Sequence, residues 1–438
     1  MPAVCRGVRR AIATTDLRNT ASVAAAFPMN ICQMAARNVA DGRRLAGESP
    51  MNVALTQVPE RAALGLLPGL ANTAEAHDRS ARFPAANLDQ LHAHGLLSLT
   101  VPRAYGGAAA GLATSMEVVR TVAMGEPSTA LVLAMQTVQH ALLARSGAWA
   151  EPIYAQVARS AVETGALINA LRVEPELGTP ARGGLPATVA RRTSSGWQIS
   201  GRKTFCTGIP VLTWLAVWAR TDEDDTRVGT FLVPANTAGI TIVRTWDQLG
   251  MRATESHDVI FDAVAIPSDF AVDLRSPGQW AGPDPQTGAW NACVVSALYH
   301  GIAWAARDWL ATWLQTRVPS NLGAPLATVP RLQAAFGEIE GLLHLDHRLL
   351  RAAAEAVDRD PAALSSVEAG LLKQRVTANA IDAVQRALAL TGNAGLARRH
   401  PLERHLRDVL CGRVHTPQDD PVFLAAGRAG LAPVKGIG

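Results

Sequence analysis

Between about Leu167 and Phe261 the chain breaks into short runs of β-type residues spaced near ten apart, and on both sides of that stretch the pattern turns helical. The runs are Ala187–Arg191, Trp197–Ser200, Trp214–Arg220, Gly229–Val233, Ile240–Arg244 and His257–Phe261, with Gly, Pro and Asp between them. That spacing reads as an antiparallel β domain. The segment SSGWQISGRKTF reads as a hairpin strand entering a loop, and FDAVAIPSDF closes the region, with Pro267 and Pro277 marking a linker. Before the β region, Leu88, Leu91 and His92 sit at helical spacings, Gly95 ends that helix and Pro102 follows. The nearly all-apolar stretch Ala130–Arg145 suits a buried helix. After it come long patterns over Trp290–Arg317, Val329–Val357, Pro361–Thr391 and Pro401–Arg413. Pro401 suits a first helical position, Glu403 complements the helix dipole, and Leu402, Leu406, Val409 and Leu410 make one apolar stripe. The expected fold class is α+β: a helical domain over 51–165, a β domain over 166–280 and a helical domain over 281–438.

With 438 residues and 48% hydrophobic content the chain is long enough for about three domains. The net charge of +4 is spread out and paired with acids, as in Glu403-Arg404 and Arg407-Asp408, with no basic stripe carrying interleaved aromatics, so nucleic acid is excluded as a partner. No apolar run reaches the roughly 18 residues of a membrane helix; Val211–Ala219 is only strand length. The five cysteines are far apart and form no CxxC pair, which argues against a disulfide framework or a metal site and for a reducing, cytoplasmic setting. Of 41 basic residues only Lys203, Lys373 and Lys435 are lysines. Residues 1–50 are Arg-rich and acid-poor without an apolar signal core; the composition admits an organellar transit peptide, and the expectation is a poorly ordered extension or a segment preceding a start at Met51. Walker, HExxH and GxSxG motifs are absent.

Five segments in order resemble the acyl-CoA dehydrogenase superfamily: Val101-Pro102-Arg103-Ala104-Tyr105-Gly106-Gly107; Ala170 to Thr179, similar to TEPxxGS; Gly196 to Gly208, similar to G-W-x-I-x-G-x-K-x-W-I-T-x-G; Leu249 to Pro267; and Gly392-Asn393-Ala394-Gly395 followed by Pro401 to Asp408. The resemblance implies an FAD- or FMN-using oxidoreductase, a homotetramer built from dimers, with a C-terminal four-helix bundle. It places Phe205 against the flavin ring and the Thr207 hydroxyl on it, with backbone from Leu171 to Val173 serving the ring; Val173 stands where the family has Thr. Arg317 matches an Arg that contacts the FAD pyrophosphate across the dimer, a task its fork of donors suits. Gly392 and Gly395 would line an approach to the cofactor. Gly178 and Thr179 match the part of TEPxxGS that holds a CoA tail. Read by themselves, Phe205 and Thr207 would be a loop aromatic and a solvated hydroxyl, Arg317 a helix-end charge, and the glycines a helix stop.

A dehydrogenase of this family needs a carboxylate base, usually in Y-E-G-T after the R-D motif. Here the matching stretch is Val414-His415-Thr416-Pro417-Gln418, and Thr416 stands at the base position. The other family position for the base falls near Asn291, again without a carboxylate, and Asp419-Asp420 follow, which could reach inward as a carboxylate but as an Asp pair before Pro read more plainly as a solvated cap or turn. His415 to Pro421 instead resembles the His-Thr turn of dibenzothiophene monooxygenase and its relatives, which take reduced flavin from a separate reductase and need a hydrogen-bond donor near it. That makes His415 the first catalytic candidate, with His140 on the apolar helix the second, a lone core histidine being the plainer reading of His140. The expected function is a two-component flavin monooxygenase acting on a small organic substrate, with an acyl-CoA dehydrogenase and a non-catalytic paralogue as the alternatives.

Overall fold

Among the described residues five α-helices lead into the sheet: α1 (Pro59–Ser80), α2 (Ala85–Ala93), α3 (Leu112–Gly125), α4 (Pro127–Ser146) and α5 (Glu151–Thr164). Their ends follow local chemistry. The Glu126 carboxylate accepts the backbone N–H of Ser128 and Thr129 ahead of Pro127, which starts α4, and left-handed Gly147 stops it. The computed structural model describes residues 58–177, 184–280 and 284–432, all within one unit, Ser49–Gly438. The expected extension over 1–50, and the expected CoA-tail residues Gly178 and Thr179, lie outside the described residues.

Among the described residues eight strands follow: β1 (Leu167–Leu171), β2 (Val189–Thr193), β3 (Gly196–Lys203), β4 (Leu212–Thr221), β5 (Val228–Pro234), β6 (Ile240–Val243), β7 (Asp258–Pro267) and β8 (Ala271–Arg275). They form one sheet in the order β6-β7-β3-β2-β4-β5-β8, with β1 also on β4. The expected antiparallel sheet is corrected here, because β1 and β2 both run parallel to β4, from Leu167↔Leu212 to Leu171↔Val217 and at Val189↔Arg220. A tight turn after β3 would have paired β3 with β4. The loop over 204–211 instead carries β4 past β2, and that reverses the sense of the pairing. The linker expected between Pro267 and Pro277 is a strand: β8 pairs antiparallel with β5 and buries Val272.

The last helices are α6 (Pro285–Thr316), α7 (Pro330–Arg359), α8 (Ser366–Thr391), α9 (Asn393–Leu396), α10 (Leu402–Val414) and α11 (Asp419–Gly430). The helix expected from Pro361 begins instead at Ser366, because Ser365 and Glu368 close a capping box there. Asp284 caps α6 and starts it at Pro285, ahead of Trp290. The long helices share a core with the first domain: Trp290, Tyr299 and Ile302 of α6 are fully buried, and bare Gly301 admits the Arg120 carbonyl of α3 to 2.3 Å from where a Cβ would stand. At the other end Arg407 of α10 pairs with Asp78 of α1 at 2.7 Å and with Glu403 at 2.8 Å, so the N-terminal helix is tied to the last turns of the fold. Among the described residues no helix is long and apolar enough to cross a membrane.

Candidate functional site

Where β3 ends, the loop over 204–208 is braced on both sides. The Thr204 N–H donates to the Val173 carbonyl at 3.0 Å, Cys206 N–H to His257 O at 3.1 Å and Gly208 N–H to Thr254 O at 3.0 Å. Beneath it lies a buried ion pair: Lys203 Nζ sits 2.6 Å from Glu174 Oε1, with the side chains 0% and 2% exposed. The same carboxylate accepts the Ala187 and Thr188 N–H groups and the Thr188 hydroxyl. Burial works against the Glu174 charge, but its hydrogen bonds to Lys203 and Thr188 outweigh that and hold the carboxyl below its ordinary range. The pair thus pins the chain over 172–175 to the end of β3.

That brace leaves Phe205 standing out. Its side chain is 58% exposed, on a backbone of φ 56° that non-glycine residues rarely adopt. The ring meets Trp246 edge to face, centroids 6.3 Å apart. Trp246 is itself held, since His257 Nδ1 accepts its backbone N–H at 3.0 Å and its indole N–H donates to Met251 O at 3.1 Å. Phe205, Trp246, Val173, Thr204 and Ser256 line a cleft of about 370 Å³. Thr204 Oγ1 is buried there with no partner among the described residues. Ser256 Oγ donates to Thr207 Oγ1 at 3.0 Å, and no acceptor for the Thr207 hydroxyl proton is found among the described residues. A planar heteroaromatic with polar edges suits these groups: an aromatic face to lie on, an orphaned hydroxyl, and a second hydroxyl with a proton to give.

The segment over 248–257 bridges this cleft to α10. Met251 N–H donates to the Asp408 carboxylate at 2.7 Å, and a Cβ on Gly250 would stand 2.2 Å from the Arg407 carbonyl, so glycine alone permits the approach. Asp408 is buried, and burial raises its carboxyl to about 7 against the pull of that hydrogen bond. Seven residues on, about two helical turns, α10 is capped by His415. The His415 Nδ1 lies 2.7 Å from the Tyr299 hydroxyl, and the Lys373 ammonium donates to the carbonyls of Gly412 at 2.8 Å and His415 at 2.6 Å. Burial, then repulsion by Lys373, lowers the imidazole to about 4, so it is neutral near pH 7. Thr416 at the expected base position is exposed.

The structure brings Val173 and Phe205 into one cleft, with Thr207 one hydrogen bond behind it. Leu171 is 1% exposed at the end of β1 and meets the cleft only through the chain that continues to Val173. Arg317 is an exposed residue at the C-terminal end of α6 and does not line the cleft. Gly392 ends α8 with a positive φ of 55°. Gly395 is a packing glycine, since a Cβ there would meet Thr391 Oγ1 at 2.3 Å. His140 is buried in α4 beside Tyr154, lowered by burial to about 4, with both ring nitrogens unpartnered among the described residues. Sequence reasoning gave no role to Trp246, Thr204, Ser256, Tyr299 or Lys373. A signal was present for the lysines: where arginine is the rule, Lys203 and Lys373 are both fully buried, each with its ammonium on specific oxygen acceptors.

Three family models match the chain: the acyl-CoA dehydrogenase N-terminal domain over residues 69–150, the middle domain over 172–264 and the C-terminal domain over 293–419. A putative acyl-CoA dehydrogenase, YdbM of Bacillus subtilis, is 33% identical over 80% of this chain and 91% of its own. Among solved structures, KijD3 in complex with FMN and dTDP-3-amino-2,3,6-trideoxy-4-keto-3-methyl-D-glucose is 28% identical, with TM-score 0.73 over 89% of this chain and 96% of that one. TdsC of Paenibacillus sp. A11-2, a dibenzothiophene monooxygenase solved with FMN and indole, shares the fold at 22% identity and TM-score 0.76, over 87% and 97% of the two chains. With its helical, sheet and helical parts in the family's order, the chain belongs to the acyl-CoA dehydrogenase family of flavoenzymes.

Proposed function

We propose that this flavoenzyme is a two-component monooxygenase, using reduced FMN or FAD from a separate reductase to oxygenate a small organic substrate. The observation that carries the reading is the end of α10: a neutral imidazole at His415, hydrogen-bonded to a buried phenol, beside an exposed Thr416 where a dehydrogenase would present its carboxylate. Without that carboxylate the chain has no group there to remove an α-proton. Bound flavin would supply two-electron chemistry and oxygen activation. The cleft residues would hold it: Phe205 against the ring face, Thr207 and Thr204 as hydroxyl partners, and the Val173 backbone along its edge. In the same reading Arg317 would contact the cofactor phosphates across the dimer of a homotetramer and Gly392 would line the approach to the cofactor, with Gly178 and Thr179 on the substrate side and a cytoplasmic setting; Gly395 serves it only by packing against Thr391. His140 stays a core residue in it. The FMN named with KijD3, at 28% identity, supports the cofactor class.

A second reading, an acyl-CoA dehydrogenase, draws on the 33% identity with YdbM. One experiment separates the two. The protein is loaded with oxidised flavin under anaerobic conditions and given a panel of acyl-CoAs. Bleaching of the flavin absorbance sinks the monooxygenase reading. No bleaching, together with transfer of isotopically labelled oxygen into a small sulfur, nitrogen or aromatic compound when reduced flavin is supplied, supports it.

A further inference from the structure

We propose that Tyr299 and Lys373 are positioning residues that hold His415 as the Nε2–H tautomer of a neutral imidazole, so that its open nitrogen is a hydrogen-bond donor and not a base. The use of that donor in oxygen chemistry rests on the monooxygenase reading; the tautomer does not.

The Tyr299 side chain, on α6, is fully buried, and its hydroxyl has one partner among the described residues, His415 Nδ1 at 2.7 Å. A hydrogen bond between a phenol and an imidazole can run either way. If Nδ1–H donated to the phenol oxygen, the phenol proton would be left in the core with no acceptor, the costly arrangement for a buried polar group. If the phenol donates to the Nδ1 lone pair, both are satisfied and the ring proton must sit on Nε2. Burial lifts the phenol well above its ordinary pKa, so it keeps the proton it donates. The phenol reaches this place because residue 412 has no side chain: a Cβ on Gly412 would stand 3.0 Å from the Tyr299 ring.

Lys373 sets the other coordinate. Its ammonium, on α8, binds the carbonyls of Gly412 and His415, two acceptors at the end of α10 that the helix itself leaves open. This fixes the His415 backbone against Tyr299 and places a positive charge beside the imidazole, which opposes a second ring proton. The other titratable groups that bear on the pair are Asp408 and Cys411 of α10, facing Tyr299, and Asp419 of α11, facing Lys373. None of them hydrogen-bonds the ring. His415 Nε2 has no partner among the described residues and is not sealed from solvent, so it is the face the ring offers to a ligand.

The test is made on the full-length protein without flavin, labelled with nitrogen-15 in histidine, with the His415 signals identified by their loss in His415→Asn. The expected spectrum shows an unprotonated Nδ1 and a protonated Nε2, unchanged on acidification until close to pH 4, the value to which the imidazole is lowered. In Tyr299→Phe the two tautomers should mix. In Gly412→Ala, which displaces the phenol without removing it, they should shift the same way. In Lys373→Met the Nε2–H form should persist while protonation moves up by about one pH unit. A wild-type Nδ1–H tautomer, or a tautomer ratio unmoved in both Tyr299→Phe and Gly412→Ala, overturns the proposal. An unchanged protonation pH in Lys373→Met removes Lys373 from it. If the Nε2–H form is found but acyl-CoA bleaches the flavin, the tautomer stands and the monooxygenase reading falls.

Discussion

Lys203→Met tests whether the brace under the cleft is built as described. The substitution keeps the length and apolar stem of the side chain and removes only the ammonium, which lies 2.6 Å from Glu174 and is sealed from water. Breaking a buried pair by removing one partner costs about 3–5 kcal/mol, because the other charge stays behind uncompensated. Here Glu174 keeps three of its four donors, from Ala187 N–H, Thr188 N–H and the Thr188 hydroxyl, so the loss should fall near the lower end, about 3 kcal/mol. Equilibrium urea unfolding followed by tryptophan fluorescence measures it. The pH dependence has a fixed sign. The Glu174 carboxyl is held below its ordinary value in the folded protein, so the pair's contribution is present above the ordinary carboxylate range and is lost as pH falls through that range toward the folded value. The wild-type and Lys203→Met curves should therefore lie apart near pH 7 and converge in acid. Replacing both partners, as Lys203→Met with Glu174→Met, should recover most of the loss. A single-variant loss under about 1 kcal/mol, or a gap that widens in acid, would refute the reasoning.

Three further outcomes are expected. Phe205→Ala should leave unfolding within about 0.5 kcal/mol of wild type, because the ring is 58% exposed. It should weaken flavin binding by up to about tenfold, the worth of one aromatic contact, as read by flavin fluorescence titration. Asp408→Asn keeps an acceptor for Met251 N–H and removes a carboxyl that burial raises to about 7. Since that raised carboxyl makes the wild type lose stability as pH climbs from the ordinary carboxylate range to about 7, the variant should gain on wild type over that interval in thermal melts at stepped pH. Gly395→Ala forces a Cβ to 2.3 Å from Thr391 Oγ1 and should lower stability by about 1–3 kcal/mol in urea.

The order of helical and sheet regions was legible because periodicity is a local property, and the long elements carry it over many residues. Strands β1 and β8 were not, since LINAL and AVDLR are five residues long and their partners, β4 and β5, are remote in sequence. The parallel pairing of β1 and β2 with β4 escaped for the same reason, because strand direction is decided by where the loop over 204–211 travels. At the candidate site, the motif singled out Phe205, which lines the cleft, and Thr207, one hydrogen bond behind it; the place after Arg407-Asp408 singled out His415 as the proposed donor. Tyr299 had no such cue: within an unbroken apolar helix nothing distinguishes a phenol that fills space from one that aims its proton at a ring nitrogen 116 residues away. Trp246 became visible only when His257 and Met251 were seen to hold it.

The two buried lysines give the protein an internal clock. Lys203 and Lys373 are the only side-chain amines among the described residues, and neither is exposed to solvent. An amine-acylating reagent, or a protease that cuts after lysine, therefore finds no substrate in that part of the native fold. Modification at either position counts openings of the structure, at Lys203 the region under the cleft and at Lys373 the seam between α8 and α10. Comparing the two rates by peptide mass would show whether these regions come apart together or one before the other.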